Sequence, residues 1–130
     1  MSQTFELSVL DSTFVVCRLD PAAAMPAWAL EGTGFVATCR TDEELSIICG
    51  EERAPTVASD APRWRALKVR GPFPFDTIGV VSTLTQALAH AQVSVLALST
   101  YDTDYLFVRV PDLARAVRAL RHEGHTVHLG

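Results

Sequence analysis

A strand, a loop and a helix in the second half of the chain show the clearest pattern of hydrophobic and polar positions. Residues 64–70 alternate between two faces with the period of two that predicts a β-strand. Residues 71–79 contain two prolines, which interrupt strand pairing because proline lacks an N–H group and has a fixed φ. Beyond this loop, apolar residues recur at spacings of three and four, which predicts an amphipathic helix over about 80–92: Val81, Leu84, Leu88 and Ala91.

The start of this helix is a candidate binding site. Its first N–H groups lie near Asp76, Thr77 and Gly79, and free N–H groups at a helix N-terminus attract anions. A glycine lets a ligand approach the backbone closely, so we expect Gly79 to contact a ligand or a second module. The alternative is that Asp76 or Thr77 only caps the helix. Local chemistry leaves both interpretations open.

The rest of the second half continues with strand and helix patterns. Apolar runs at 93–99 and 105–110 predict two strands. The apolar stripe over 113–120 predicts a helix that Gly124 ends, and a short strand follows at 125–129. The order from the start of this half is therefore strand, helix, strand, strand, helix, strand. That order is the ferredoxin-like pattern, with an antiparallel sheet and two helices on one face.

The first half echoes this pattern with shorter elements. Two short strands joined by a tight connection are expected at 4–10 and 13–19, and only residues 25–30 could form a helix. A hairpin follows at 35–49, and residues 51–62 form a polar loop. Both halves place a Thr-Asp pair in the turn between two apolar strands: Thr41-Asp42 and Thr103-Asp104.

The composition narrows the classes of function. A net charge of −4 argues against a general nucleic-acid binder, whose surface is usually basic. No apolar run approaches the roughly 20 residues of a membrane span, and the first residues do not lead into a signal-peptide core. We therefore expect a cytoplasmic protein with neither nucleic acid nor a membrane as partner. An odd number of cysteines inside apolar runs favours reduced, buried thiols: Cys17, Cys39 and Cys49.

Catalysis, a metal and a cofactor are not expected. The chain contains neither a Gly-rich phosphate loop nor an H-E-x-x-H motif, and no cysteine has a neighbouring His or Lys in sequence that would favour a thiolate. Arg18 and Arg40 adjoin two of the cysteines, but consecutive strand residues point to opposite faces. An enzyme is therefore the least favoured class of function. The histidines are the obvious acid–base candidates, but their spacing assembles no triad: His90, His122, His125 and His128.

Blocks of sequence scattered over nearly the whole chain carry a resemblance to a known family. The blocks are Pro26-Ala27-Trp28, Arg40 to Ile47, Trp64 to Val69, Gly71-Pro72-Phe73 and Ser99 to Tyr105. They resemble small bacterial proteins built from paired ACT domains and, more distantly, the eukaryotic cytosolic arginine sensors. ACT domains are regulatory βαββαβ modules that commonly bind amino acids where two modules meet. The resemblance implies a ligand-responsive or dimerising module rather than a catalyst.

The same resemblance implies a fold and a division of the chain. The expected fold is α+β, with two ferredoxin-like, ACT-type modules that have antiparallel sheets and helices on one face. The expected modules are residues 1–62, which are the more divergent, and residues 63–130. The strand at 64–70 could close the first module, open the second, or be exchanged between them.

By position, the ligand loop of the ACT family falls on the start of the helix, and the strand-and-turn block beside it falls on the following hairpin. The residues that the resemblance places at the site are Asp76, Thr77, Ile78, Gly79, Ser99, Thr100, Asp102, Thr103 and Asp104. Many ACT domains have a proline just before the glycine of this loop, where this chain has Ile78.

These residues suit a small amino acid or a similar zwitterion. A ligand carboxylate could accept N–H groups from residues 77–80, and a ligand ammonium could meet Asp102 or Asp104. Both aspartates could instead hold the hairpin through an Asx-type turn. The alternative function is a module that binds no ligand and pairs with a second copy through sheet edges or helices.

Overall fold

A computed structural model of the protein describes residues 3–54, 60–73 and 77–130. The helices and strands within them are β1 (Glu6–Leu19), β2 (Val36–Arg40), β3 (Leu45–Gly50), β4 (Trp64–Val69), α1 (Val80–His90), β5 (Val95–Ser99), β6 (Asp104–Arg109), α2 (Leu113–His122) and β7 (Thr126–His128). Contacts divide the chain into the hairpin unit, Ser12–Arg63, and the helical unit, Met1–Asp11 with Trp64–Gly130. The expected α+β class is confirmed.

The helical unit contains the predicted order of strand, helix, strand, strand, helix and strand from β4 to β7. Both helices bury one stripe, because residues at spacings of three and four face one side of a helix. Leu84 and Leu88 of α1 share one hydrophobic core with Val117 and Leu120 of α2 and with Leu106 of β6. The predicted helices and their apolar faces are therefore confirmed.

The sheet of the helical unit contains one strand more than a single βαββαβ module requires. β4 lies between β6 and β1, and the N–H group of Arg70 donates to the carbonyl oxygen of Glu6 at 2.8 Å. β5 pairs antiparallel with β6, whereas β7 pairs parallel with β1, with Glu6 opposite Thr126. The expectation of antiparallel pairing is therefore wrong for β7, because β1 occupies the place beside β4 that the last strand would take.

β1 is a single strand of 14 residues, so the prediction of two short strands is wrong. Asp11 and Ser12 suggest a turn, but both are exposed, and polar side chains in water are compatible with a continuing strand. Residues 6–8 pair with β7 and residues 14–19 pair with β3. Contacts therefore assign residues 1–11 to the helical unit, whereas the sequence places them in the first module.

The hairpin unit contains the hairpin that the sequence predicts. β2 and β3 pair antiparallel with Arg40 opposite Leu45, and β3 also pairs antiparallel with residues 14–19 of β1. The unit is therefore a three-stranded sheet, and it has a buried cluster of its own: Val15, Ala29, Leu45, Ile47 and Cys49.

The helix of the hairpin unit is shorter than the sequence predicts. In the described part of this unit, the helical segment is a 3-10 turn at Ala27–Ala29 instead of a helix over 25–30. Pro26 precedes it with an extended backbone, and Gly32 follows in the left-handed region at φ 74°. Both residues limit its length, since proline cannot donate an N–H bond and a left-handed glycine ends helices. The described residues of this unit therefore lack the two α-helices of a complete ACT-type module.

Candidate functional site

The segment before α1 and the turn between β5 and β6 border one cleft of ≈ 320 Å³, which we name the α1 cleft. The predicted site residues that line it are Thr77, Gly79, Ser99, Thr100, Asp102, Thr103 and Asp104. Ile78 lies between two lining residues, and its side chain is 88% exposed. Asp76 lies outside the described residues. The fold thus brings together two blocks that are far apart in the sequence.

Backbone N–H groups at the start of α1 belong to this cleft. Gly79 is the N-cap residue, and its carbonyl oxygen accepts the N–H group of Thr83 at 2.9 Å. The N–H groups of residues 80–82 precede this first helical bond, so they have no acceptor within the helix. Residues 80–82 all line the α1 cleft. The cleft therefore includes a helix N-terminus, which stabilises a bound anion.

Gly79 has a conformational role that is independent of any ligand. Its φ of 87° lies in the left-handed region, where side-chain-bearing residues are strained. A Cβ atom there would lie 3.7 Å from the Thr83 hydroxyl, so strain rather than a clash would oppose alanine. The N-cap residue of α1 is Gly79, which has no side chain, so the interpretation of Thr77 as the capping residue is wrong. The same interpretation of Asp76 falls outside the described residues.

Threonines hold the turn between β5 and β6, residues 100–103, which we name the Thr100 turn. The N–H group of Thr100 donates to the carbonyl oxygen of Thr103 at 2.8 Å. The Thr100 hydroxyl donates to the same oxygen at 3.1 Å and accepts the N–H group of Thr103 at 3.3 Å. The Asx-turn interpretation of Asp102 and Asp104 is therefore wrong, since a threonine supplies these bonds.

The Thr100 turn is attached to the segment that follows β4. Thr103 is 5% exposed, and its hydroxyl donates to the carbonyl oxygen of Val69 at 2.6 Å. The carbonyl oxygen of Asp102 accepts the N–H group of Phe73 at 3.0 Å. A Cβ atom on Gly71 would lie only 2.7 Å from that oxygen, so the close approach requires glycine. These contacts hold Phe73 in the wall of the α1 cleft.

Phe73 and the buried hydroxyl of Thr103 are features that sequence reasoning missed. Phe73 lines the cleft, whereas the sequence pattern indicates only that the prolines on either side of it interrupt a strand. The family resemblance places Thr103 among the ligand residues, yet its hydroxyl donates a hydrogen bond to the carbonyl oxygen of Val69 within the protein. The Gly71-Pro72-Phe73 block was the available signal for Phe73, since this block belongs to the family resemblance.

Two carboxylates complete the polar lining of the cleft. Asp104 lies opposite Ser99 in the β5–β6 ladder, and its half-buried carboxylate accepts the Ser99 hydroxyl. Asp102 is exposed. The α1 cleft therefore combines N–H donors at one helix end with carboxylate acceptors on a hairpin. Such an arrangement complements a small molecule that carries both charges.

The histidines lie outside the α1 cleft. His90, His122 and His128 are exposed, whereas His125 is buried just before β7. Within the described residues, no group of three or more histidine, cysteine, aspartate or glutamate side chains could hold a metal ion.

The three cysteines have different environments, and all are free thiols. Cys49 is buried and Cys17 is partly buried, but Cys39 is exposed, so the expectation of buried thiols is wrong for Cys39. Cys39 lies on β2, which is the last strand on its side of the sheet. Burial raises the pKa of the Cys49 thiol to about 11. Cys49 is therefore a weak nucleophile at neutral pH, since the thiolate is the reactive form.

Comparison with known families divides the chain between residues 57 and 61, close to the boundary at Arg63–Trp64 between the hairpin unit and the second segment of the helical unit. A family model described as the ACT domain matches residues 61–122. These residues include β4, α1, the Thr100 turn and α2. A second family model, described as an N-terminal domain, matches residues 12–57 of the hairpin unit.

One solved structure shows the family. Protein Atu0741 from Agrobacterium tumefaciens is 36% identical to this chain, with 99% of this chain and 96% of that chain covered and a TM-score of 0.86. The chain therefore belongs to the family of Atu0741, and it contains an ACT domain. ACT domains are regulatory modules, which gives the chain the capacity to bind a regulatory ligand.

Two further solved structures share the fold at lower identity. VC0802 from Vibrio cholerae, described as a protein of unknown function and possible transport protein, is 19% identical, with 92% of this chain and 89% of that chain covered and a TM-score of 0.72. The aspartate kinase of Clostridium acetobutylicum, described as an allosteric enzyme, is 14% identical, with 89% of this chain and 33% of the kinase covered and a TM-score of 0.62. At these identities the similarity shows the fold alone.

Two further findings concern curated relatives and the length of the helices. No curated protein matches the chain. Among the described helices, none has the length and apolar character that crossing a membrane would require.

Proposed function

We propose that this chain is a non-catalytic regulatory module that binds a small amino acid or a similar zwitterion in the α1 cleft, at an interface between two ACT modules. The observation that carries the proposal is that helix N–H groups and two carboxylates line the same cleft of ≈ 320 Å³. An α-amino acid carries its carboxylate and its ammonium on one carbon atom. It can therefore meet both sets of groups at once.

The ligand carboxylate binds at the start of α1. The N–H groups of residues 80–82 are the best donors, because the first bond within the helix begins only at Thr83. The aligned peptide dipoles add a partial positive charge of roughly half an elementary charge at this end. Gly79 is a glycine, so it places no Cβ atom beside these groups.

The ligand ammonium binds to Asp104. Its carboxylate is half-buried and oriented by the Ser99 hydroxyl, and an ion pair is stronger where water is partly excluded. Asp102 is exposed, so its contribution is weaker because solvent screens exposed charges. We therefore place Asp104 in contact with the ammonium and Asp102 nearby as a second negative charge.

A second copy of the chain covers the open side of the cleft. Tyr101 lines the cleft and is 80% exposed, and Ile78, which lies between two lining residues, is 88% exposed. Large apolar side chains at the rim of a polar cleft are typical of a surface that is buried on association. In this proposal the chain forms a homodimer whose ACT modules enclose the ligand.

The proposal extends to the organisation and location of the protein. In this proposal the hairpin unit is the divergent member of a pair of ACT-type modules; residues 12–57 of this unit match a family model of their own. The protein works in the cytoplasm.

A thermal-shift screen of the standard amino acids tests the proposal. A ligand that binds only the native state raises stability by about 2.7 kcal/mol at a hundred times its Kd, which is a rise of several degrees in the melting temperature. At least one amino acid should produce such a rise. A flat response to all of them at millimolar concentration would contradict the proposal.

Charge-removing variants locate the ammonium. Asp104→Asn should reduce the ligand-induced shift and leave the melting temperature of the free protein nearly unchanged. Asp112→Asn is the matched control, because Asp112 is on the same unit but pairs with Arg115 outside the cleft. An unchanged ligand shift in Asp104→Asn, together with a lost shift in Asp102→Asn, would move the ammonium to Asp102.

A ligand-free dimerisation module is the second candidate function. β5 is the last strand of the sheet on its side, and Leu96 on this strand is 37% exposed. An apolar edge strand can pair with another chain. Sedimentation velocity without amino acids distinguishes the two functions. A dimer that forms without ligand and ignores every amino acid would favour the second.

A further inference from the structure

His125 is a buried histidine that holds Phe5, the residue just before β1. It is 4% exposed, and its Nδ1 atom accepts the backbone N–H group of Phe5 at 3.0 Å. The two rings stack with centroids 5.9 Å apart and 20° between their planes. The N–H group of Thr126 donates to the carbonyl oxygen of Phe5 at 3.0 Å. Both backbone groups of Phe5 are therefore bound by the segment that begins β7.

Phe5 in turn contacts the wall of the α1 cleft. Its ring packs edge-to-face against Phe73, with centroids 6.0 Å apart and 77° between the planes. Phe73 lines the α1 cleft, and its N–H group donates to the carbonyl oxygen of Asp102. A continuous series of contacts therefore joins His125 to the cleft through two aromatic rings.

We propose that neutral His125 is a positioning residue: it holds Phe5, and Phe5 holds Phe73 in the cleft wall. Proton uptake by His125 releases this series of contacts from His125 through Phe5 to Phe73, which we name the latch. The importance of the cleft rests on the proposed function. The contacts from His125 to Phe73 do not depend on it.

The geometry explains why a proton matters. An Nδ1 atom that accepts a hydrogen bond carries no proton, so the neutral ring must have its proton on Nε2. A second proton would place an N–H group against the N–H group of Phe5 at 3.0 Å. That contact is repulsive, so the ring must rotate or the backbone at Phe5 must move. Either movement disturbs the stack with Phe5 and its contact with Phe73.

The direction of the pH dependence follows from burial. Burial lowers the pKa of His125 from its ordinary value of 6.5, and the nearby charge of Glu123 partly opposes this. A base with a lowered pKa in the folded state is held neutral, so the latch is fully formed above about pH 6.5. The contribution of the latch to stability is lost as the pH falls through the lowered pKa that His125 has in the folded state.

Charged and titratable groups lie on the elements that pack around His125. Glu123 lies at the end of α2, and its carboxylate is 3.8 Å from Nδ1 of His90 on α1. On β1, the carboxylate of Glu6 is bound by Arg70 and lies 3.5 Å from Nε2 of His128 on β7. Among the described residues, Glu123 is therefore the acidic group that favours protonation of His125.

NMR titration of the free protein tests the latch. Ring-labelled phenylalanine reports on Phe73, and 15N-labelled histidine reports on His125, from about pH 8 to about pH 5. We expect His125 to be the Nε2–H tautomer at the upper end, and the Phe73 ring signals to shift with the midpoint of the His125 titration. Phe73 signals that stay fixed while His125 titrates would overturn the proposal, as would a His125 that takes up no proton before the protein unfolds.

Two matched variants separate the latch from general acid effects. His125→Asn keeps an acceptor for the Phe5 N–H group but cannot titrate, so it should abolish the pH-dependent shift of Phe73. His122→Asn, which changes an exposed histidine, should leave that shift unchanged. If His125→Asn does not fold, the wild-type titration alone decides. Since no amino acid is added, a failed latch would leave the ligand proposal intact, and a failed ligand screen would leave the latch intact.

Discussion

The Thr100 turn and the turn between β2 and β3, residues 41–44, are built in the same way but lie in different surroundings. In this second turn, which we name the Thr41 turn, the N–H group of Thr41 donates to the carbonyl oxygen of Glu44 at 2.8 Å. The Thr41 hydroxyl accepts the N–H groups of Glu43 and Glu44 at 3.1 and 3.2 Å. Each turn is thus closed by a threonine at its first position.

This equivalence corrects the alignment of the two halves of the chain. The sequence pairs Thr41-Asp42 with Thr103-Asp104, whereas the hydrogen bonds make Thr41 equivalent to Thr100. The strand pairs that flank the two turns agree with the second alignment. The shared dipeptide is misleading because the turn depends on the hydroxyl of its first residue and not on the aspartate that follows.

The two turns differ at their last position. Glu44 is half-buried, and its carboxylate accepts the hydroxyl of its neighbour Ser46. Thr103 is buried and donates to Val69 on another segment. The Thr41 turn is therefore the tip of a hairpin, whereas the Thr100 turn forms a wall of the α1 cleft. The two turns have the same backbone hydrogen bonds, but only the Thr100 turn borders the candidate site, because Thr103 attaches it to the segment that follows β4.

The largest effects are expected beneath the two turns. Leu106 on β6 and Ile47 on β3 occupy equivalent positions, and both are 0% exposed. Leu106→Ala and Ile47→Ala should each lower the free energy of unfolding by ~2–5 kcal/mol, because each removes buried methyl groups and leaves a cavity. Urea denaturation measures both. A loss below about 1 kcal/mol for Ile47→Ala would mean that the hairpin unit lacks an effective core.

The attachment of the Thr100 turn predicts the next largest effect. Thr103→Val should lower the free energy of unfolding by ~1–3 kcal/mol, because it removes the donor that satisfies the carbonyl oxygen of Val69. Thr103→Ser retains the hydroxyl and is the control. Glu44→Gln, at the equivalent position of the Thr41 turn, should change stability by less than about 0.5 kcal/mol. Equal losses at positions 103 and 44 would contradict the contrast between the turns.

The shared turn chemistry predicts equal and smaller effects. Thr41→Ala and Thr100→Ala should each cost ~0.5–1.5 kcal/mol, because each removes the hydroxyl that bonds the turn backbone. Chemical denaturation of both variants under the same conditions provides the comparison. A clear loss in only one variant would show that the two turns are not equivalent.

The smallest effect concerns the exposed acidic residues at the third position. Asp102→Asn and Glu43→Gln should both leave the melting temperature of the free protein unchanged, since both residues are exposed. Asp102→Asn should weaken the binding of the amino acid found in the screen by less than about fivefold, because solvent screens the charge of Asp102. Titration calorimetry with that amino acid measures the change. An equal weakening by Glu43→Gln would place the ligand elsewhere.

Much of the helical unit could be predicted from the sequence. The spacing of Leu84 and Leu88 identified α1, and that of Val117 and Leu120 identified α2, because burial on one helix face has a period that any local window records. Proximity of the start of α1 to the Thr100 turn was not visible in such a window. It came from the ACT resemblance, which assigned both blocks to one site.

The errors occurred where a residue's partner is distant in sequence. Asp11 and Ser12 indicated a turn, but β1 continues through them to pair with different strands at its two ends. The resemblance places Thr103 at the ligand site, and nothing near it in sequence reveals its bond to Val69. The positive φ of Gly79 was likewise hidden, since glycine is compatible with either sign.

The sequence by itself therefore determined α1, α2, the β2–β3 and β5–β6 hairpins and the buried faces of the two helices, because these depend on the order of apolar and polar side chains within a few residues. Only the tertiary structure decided that β1 lies between β4 and β7, that Thr103 is buried, and that Phe5 joins His125 to Phe73. These features depend on which strands and loops meet. The free energy of such contacts is shared between residues far apart in the chain, so neither partner carries a local pattern that identifies the other.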